Sequence, residues 1–324
     1  TMRHYPARSV LALIAVAVVL PLTLACGPDA APASAPDADA GRSPDTRRIV
    51  LIAGRPSHPP GMHEFRAGTM LMQKALSGIA GLQVDVYTGG WPSRDVDGER
   101  VDDHAALDGA DAIFIYADGG SGHPVLRGDR ARVIDELASR GVGLGFAHYA
   151  VEVPAEAGAS TLMRWLGGHY EHLYSVNPMW SPDFRSLPDH PVTRGVAPFS
   201  THDEWYFNMR WADDPETARR ITPLLVATPS DGVRRGPYVH PAGPYDHIIE
   251  ASGGEETMMW VYERPDGGRS FGFTGGHTHA NWGDVNQRRL VLNALLWIAK
   301  MEVPEGGVVD TITAADLEEN LDDK

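Results

Sequence analysis

The sequence predicts an α/β domain built around a mostly parallel sheet, and three observations predict it. First, RIVLIAG (Arg48–Gly54), DAIFIYA (Asp111–Ala117) and GVGLGFA (Gly141–Ala147) are short apolar runs bounded by glycine or charge. Their length and continuity suit strands covered on both faces. Second, segments with helical apolar spacing lie between these runs, as crossover connections require. Third, each run gives way at once to polar residues, and in open α/β sheets the carboxyl edge of the strands is where ligands bind.

Taken in order, Arg48–Gly54 is the first strand and is followed by a loop carrying His58, His63, Glu64 and Arg66. Thr69–Ser77 has one apolar helical face, with Glu64 and Arg66 at its entry. Leu82–Tyr87 is the second strand, closed by Gly89-Gly90-Trp91-Pro92, and Asp111–Ala117 the third. Asp129–Arg140 reads as a helix and leads into Gly141–His148, where alternate glycines let a helix or a second backbone press close. Ala155–Leu166 is a helix opening just after Pro154, a favoured helix start. The texture then changes. Tyr174–Val176, His202–Phe207, Thr222–Thr228, His247–Ala251 and Thr257–Tyr262 read as short antiparallel strands separated by Pro- and Gly-rich turns. Gly268–Phe273 is a last buried strand, and Asn286–Lys300 a closing amphipathic helix.

Bulk properties bound the function. The 324 residues are 43% hydrophobic, enough for a sizeable core. A formal net charge of -15 argues against nucleic acid and anionic membrane surfaces as partners. The one cysteine, Cys26, precedes the folded part, so no internal disulfide forms and no thiol is available there as nucleophile or metal ligand.

The N-terminus reads as an address. Arg3 and Arg8 form a basic region, Val10–Leu20 an apolar core of signal-peptide length, and Leu22-Thr23-Leu24-Ala25-Cys26 a lipoprotein-type cleavage site in which Thr23 departs from the usual leucine. The predicted organisation is a signal peptide over 1–26 with Cys26 lipidated, a flexible tether over 27–46, a domain over 47–303 and a solvated acidic tail over 304–324. The expected location is the periplasm or cell surface, with the lipid as the one membrane attachment.

The 14 histidines concentrate in loops that follow strands. His148 sits in the turn after the glycine-rich strand, with Glu152 four residues on, placed either to orient it or to act as an acid or base. His277 and His279 are two apart, so extended backbone would aim both the same way. Asn281 and Trp282 beside them offer an amide and a flat apolar ring, a pairing that suits a sugar's hydroxyl rim and C–H face. In HDEWY, alternation puts His202, Glu204 and Tyr206 on one side and Asp203 and Trp205 on the other. The candidate catalytic residues are therefore His148, Glu152, Glu204 and His277. The candidate substrate-binding residues are His58, His63, His123, His169, Tyr206, His279, Asn281 and Trp282. Each also has a plain structural reading, as a core histidine bonded to backbone, a helix-capping carboxylate or a buried indole. His58, His63, His148, His277 and His279 could instead hold a divalent metal such as zinc, although no spacing among them is diagnostic. The loop Asp118-Gly-Gly-Ser-Gly-His123 lacks the spacing of a nucleotide-binding fingerprint.

Together GRPSHPPGMHEFRAG, GLGFAHYAVE, LGGHYEH, HPVTRG, DEWYFN and FGFTGGHTHANWG resemble the trehalose-utilisation, or ThuA-like, family over about Arg48–Val303. The resemblance implies a class I glutamine amidotransferase-like fold, a flavodoxin-like three-layer sandwich, here with antiparallel insertions in the C-terminal half. It also implies a link to disaccharide use, often alongside oxidation of a sugar to its keto form, and hence a sugar oxidoreductase as pathway partner. That fold's amidotransferases carry a nucleophilic cysteine in the turn where this chain has His148, so thiol-based glutaminase chemistry is excluded. His277 or His279 stands where those enzymes carry their catalytic histidine. The expected function is an exported enzyme acting on a disaccharide or keto-sugar by His/Glu acid–base chemistry. The alternatives are a non-catalytic sugar-binding lipoprotein and a His-liganded metallo-hydrolase with another substrate.

Overall fold

The computed structural model describes residues 45–324. The expected export signal, its expected lipidation site Cys26 and nearly all of the expected tether lie outside the described residues. The frame is a seven-stranded sheet of β1 (Arg47–Ala53), β2 (Leu82–Tyr87), β3 (Ala112–Tyr116), β4 (Gly143–Ala147), β5 (Ile221–Ala227), β6 (Glu256–Glu263) and β7 (Arg269–Phe273), in the spatial order β5-β6-β7-β4-β3-β1-β2. The pairs from β2 through β1, β3 and β4 to β7 are parallel, and β6 and β5 extend the sheet antiparallel.

Alternation along β1 shows how the layers are built. Ile49, Leu51 and Ala53 face α1 (Phe65–Leu76) and α4 (Val285–Ile298), whereas Val50 and Ile52 face α2 (Arg130–Ser139) and α3 (Ser160–Leu166). Both faces are dry, which is why the strands read as unbroken apolar runs. The glycines of β4 permit close approach as expected. A Cβ on Gly143 would lie 2.1 Å from the Ile298 carbonyl oxygen, and one on Gly145 would lie 2.4 Å from the Phe271 ring. The central α/β sandwich is therefore flavodoxin-like.

Several elements differ from expectation. Helix α1 begins at Phe65, because Phe65 is itself part of the buried stripe with Leu71, Met72 and Leu76. A hairpin, Ser93–Val96 with Glu99–Asp102, turns at Asp97-Gly98, where both residues have positive φ, +55° and +83°. That Asp-Gly dipeptide is itself a hairpin signal. The expected helix over Ala155–Leu166 opens as a wider π turn at Ala155–Ala159 before α3. The segment His247–Ala251 is a short helix, Asp246–Glu250, rather than a strand. It turns only Ile248 inward, and its His247 ring stacks between Tyr174 and Tyr245. The expected strand His202–Phe207 contracts to Asp203–Glu204 paired with Met179–Trp180, and Tyr174–Val176 contributes only a bridge from Val176 to Phe207.

The acidic tail is a larger correction. It folds back along α1 and α4 instead of standing in solvent. Val308 is buried, Asp310 pairs with Arg288 at 2.9 Å, Asp316 pairs with Lys74, and the Asp322 N–H donates to Glu64 at 2.8 Å. Its carboxylates are local counter-charges to basic residues on the helices, a match that only the folded chain brings about.

Candidate active site

The carboxyl ends of β1, β3, β4 and β7 lie side by side, and their loops deliver polar side chains to one spot. His63 comes from the loop after β1, Asp118 from just past β3, His148 from the residue immediately after β4, and His277 from the turn after β7. Glu204 arrives from the segment between α3 and β5. Backbone contacts lock these loops together. The Asp203 carboxylate accepts the N–H groups of Gly276 at 2.8 Å and Thr278 at 2.9 Å, and His63 N–H donates to the His277 carbonyl at 2.9 Å. Gly276 has φ +106°, and a Cβ on Gly275 would lie 2.5 Å from Trp205, so this turn needs both glycines. His58, His63 and His148 also adopt left-handed backbone, with φ +63°, +48° and +54°. Each such residue stores about 1 kcal/mol of strain, and strain of this kind gathers at functional sites.

Four ligand-type atoms converge. His63 Nε2 lies 3.0 Å from His148 Nε2 and 2.9 Å from His277 Nδ1. Glu204 Oε2 lies 2.7 Å from His277 Nδ1 and 3.6 Å from His148 Nε2. All four residues are buried, and no two of these atoms are more than 4.8 Å apart. The outer ring nitrogens are fixed by acceptors: His63 Nδ1–H donates to Asp118 at 2.9 Å, and His148 Nδ1–H donates to the Thr274 carbonyl at 3.0 Å. The Tyr206 hydroxyl donates to His148 Nε2 at 3.2 Å. His58 lies over His63 with ring centroids 3.6 Å apart and, at the solvent side, forms the rim of the centre.

The electrostatics separate two carboxyl groups. For Glu204, burial would raise the pKa, but hydrogen bonds and charge from His148 and His277 outweigh it and bring the carboxyl down to about 2. Burial raises Glu152, and the neighbouring Glu204 charge adds to this, bringing it up to about 7. Two carboxyls whose environments drive them apart are the signature of divided acid–base roles. Burial alone would lower His148, but Glu204 reverses the direction and raises it. His63 is driven far down by burial and by the imidazoles around it. Tyr149, raised to about 12 by burial, stays a neutral hydroxyl, as do Tyr170 and Tyr206.

Of the residues singled out in the sequence, His58, His63, His148, Glu204, Tyr206 and His277 meet here, and Glu152 lies near enough for the charges of Glu204 and His148 to act on it. The others go elsewhere. His123 is a core histidine: its Nε2–H donates to the Ala150 carbonyl, its Nδ1 accepts the Val125 N–H, and its ring stacks on Phe146. His169 bonds to the carbonyl of the next residue, Tyr170. His279 points away from His277, because a 3-10 turn over His279–Gly283 replaces extended backbone, and its Nε2 meets the Leu317 carbonyl of the tail. Asn281 donates to the His202 carbonyl, and Trp282 is fully buried between Tyr116 and Phe273, so neither forms a sugar platform. His279 is thereby removed from the possible metal ligands. Asp118, Thr274 and Asp203 hold the centre in place and were not foreseen as doing so. Only Asp118 carried a signal, as the first residue past a buried strand.

The inner groups His63, His148, His277 and Glu204 have the composition of a metal-binding set, and a second, more open grouping is His58, His63 and Asp118. Chemically the centre can polarise a substrate oxygen while Glu152 exchanges a proton near neutral pH.

The trehalose-utilisation family model matches residues 84–298. A ThuA-like protein from Bacteroides uniformis superposes with a TM-score of 0.55 at 16% identity, covering 82% of this chain and 95% of that one. That likeness establishes the fold. PurLQS from Thermotoga maritima gives a TM-score of 0.40 at 12% identity over 78% of this chain and 99% of that one, too distant to carry an argument. No curated protein matches the chain in sequence. The match to the family model spans well over half of the sequence, and the chain belongs to the trehalose-utilisation (ThuA) family.

Proposed function

We propose that this chain is an exported, lipid-anchored enzyme that processes a disaccharide or its keto derivative at the His63–His148–His277–Glu204 centre. The convergence of these four groups at the carboxyl edge of the sheet carries the reading, and family membership supplies the substrate class. A keto-sugar has an acidic C–H beside its carbonyl. In this reading the ionised Glu152 takes that proton, and the centre stabilises the negative charge that grows on the carbonyl oxygen. Proton transfer goes to Glu152 rather than His148. The ring of His148 is fully buried, with one nitrogen bound to Thr274 and the other crowded by His63, Tyr206 and Glu204. A sugar oxidoreductase producing the keto form is the natural partner.

The test is to incubate the full chain with a panel of disaccharides and their keto derivatives and to separate the products by chromatography. Turnover of a keto-disaccharide is expected, rising as pH passes through about 7 as Glu152 ionises. Tight binding of a sugar with no product overturns catalysis in favour of the sugar-binding alternative. Export and lipidation are checked separately by fractionating cells that express wild-type chain or Cys26→Ser, which should release the protein from the membrane.

A further inference from the structure

We infer that His63 Nε2, His148 Nε2, His277 Nδ1 and Glu204 Oε2 are the ligands of a single divalent transition-metal ion. The inference rests on the reading of this centre as the working site, and it adds what the centre holds. Hydrogen-bond capacity is the first argument. A carboxylate and a carbonyl can only accept, so His63 and His148 carry their protons on Nδ1, toward Asp118 and Thr274. In those neutral tautomers both Nε2 atoms present lone pairs across 3.0 Å, and the one on His148 also accepts from the Tyr206 hydroxyl at 3.2 Å. The ionised Glu204 oxygen adds another lone pair beside them. One proton on His277 Nδ1 lies within reach of Glu204 and His63, and without a cation the His63–His148 pair is bridged only if His148 takes up a second proton, on Nε2. A cation in the middle satisfies all four atoms at once.

The spacing agrees. Ligand atoms about 2.1 Å from a metal stand about 3.0 Å apart when cis in an octahedron and about 3.4 Å apart in a tetrahedron. The separations of 2.7, 2.9, 3.0 and 3.6 Å lie in this range and sit nearer the octahedral spacing. Six-coordination with four protein ligands then leaves two positions, which substrate oxygens or water would fill. Three imidazoles and one carboxylate without a thiolate favour zinc, manganese, iron(II) or cobalt over copper(I) or an iron–sulfur cluster. The outer contacts also have the right form. Asp118 grips the far nitrogen of His63 as carboxylates grip zinc-bound histidines, and the Thr274 carbonyl does the same for His148.

The experiment strips the full chain with a chelator and titrates it with cobalt(II), reading visible absorption and bound metal by elemental analysis. One equivalent is expected, with the weak absorption of five- or six-coordinate cobalt. His63→Ala and His277→Ala should each weaken binding by more than about 100-fold, and Asp118→Asn by about 10- to 100-fold. The exposed His202→Ala should bind as wild type. If the histidine variants do not fold, the wild type still decides: cobalt should shift the ring protons of three buried histidines in NMR spectra. Binding of less than about a tenth of an equivalent, or unchanged binding in folded His63→Ala and His277→Ala, overturns the inference. So does an NMR spectrum placing a shared proton between His63 and His148 in the presence of excess cobalt. Metal bound without sugar turnover leaves this inference standing and sinks the proposed function, and turnover without metal does the reverse.

Discussion

Six histidines are buried among the described residues, and they fall into two groups of three. His123, His169 and His279 end on backbone carbonyls. Burial lowers all three, His123 to about 4, so they are neutral packing groups. His63, His148 and His277 instead turn one nitrogen toward a common point. The groups do not differ in burial, and both include residues from loops at the same sheet edge. They differ in where the second ring nitrogen goes. His123 has both nitrogens satisfied by backbone, so its capacity is filled and nothing is left for a ligand. His63 and His148 have one nitrogen anchored and the other held toward its neighbours, at the cost of a left-handed backbone that the packing must offset.

The comparison can be broken in order of expected effect. Glu152→Gln should lower keto-sugar turnover by about 100- to 10,000-fold in steady-state assays, because it removes the one group tuned near neutrality at the convergent site. The same change has a signed effect on stability. The folded pKa of Glu152, about 7, lies above its ordinary value, so ionising it destabilises the fold progressively from about pH 4.5 to pH 7. Glu152→Gln should therefore raise the denaturation midpoint at pH 8 and leave it nearly unchanged at pH 4, a difference of about 3 kcal/mol. A variant that is no more stable at pH 8 would show that Glu152 is not buried against Glu204. Gly143→Ala should cost about 3 kcal/mol in denaturant unfolding, since its Cβ meets the backbone carbonyl of Ile298, which cannot move aside. His123→Ala should cost about 2 kcal/mol through a cavity and an unpaired Ala150 carbonyl, yet leave turnover per folded molecule unchanged. Loss of turnover there would erase the division between the two groups. The smallest effect is expected for Glu64→Gln, which weakens the bonds from Gly61 and Asp322 N–H. It should loosen the tail, read as faster proteolysis, at a cost of about 1 kcal/mol.

Much of the fold was legible because β1, β3 and β4 are covered on both faces, which leaves an uninterrupted apolar signature and puts polar residues at the strand ends. The region between α3 and β5 was not. Asp203–Glu204 is held by Met179–Trp180 and by the Gly276 turn, partners distant in sequence that no local alternation reveals. The same gap explains the site. His148, His277 and Glu204 were visible from their positions at strand ends or beside aromatics. The separation of His277 from His279 depended on one 3-10 turn, and the burial of Trp282 on Tyr116 and Phe273 closing around it.

By itself the sequence determined which residues stand at the carboxyl edge of a parallel sheet, because strand length and apolar continuity are local properties of the chain. It also ruled out thiol chemistry there, since the one cysteine, Cys26, precedes the described residues. Only the tertiary structure decided which histidines share a centre. That depends on which nitrogen of each ring an acceptor holds, and those acceptors, Asp118, Thr274, Ala150 and Leu317, are brought to the rings by packing.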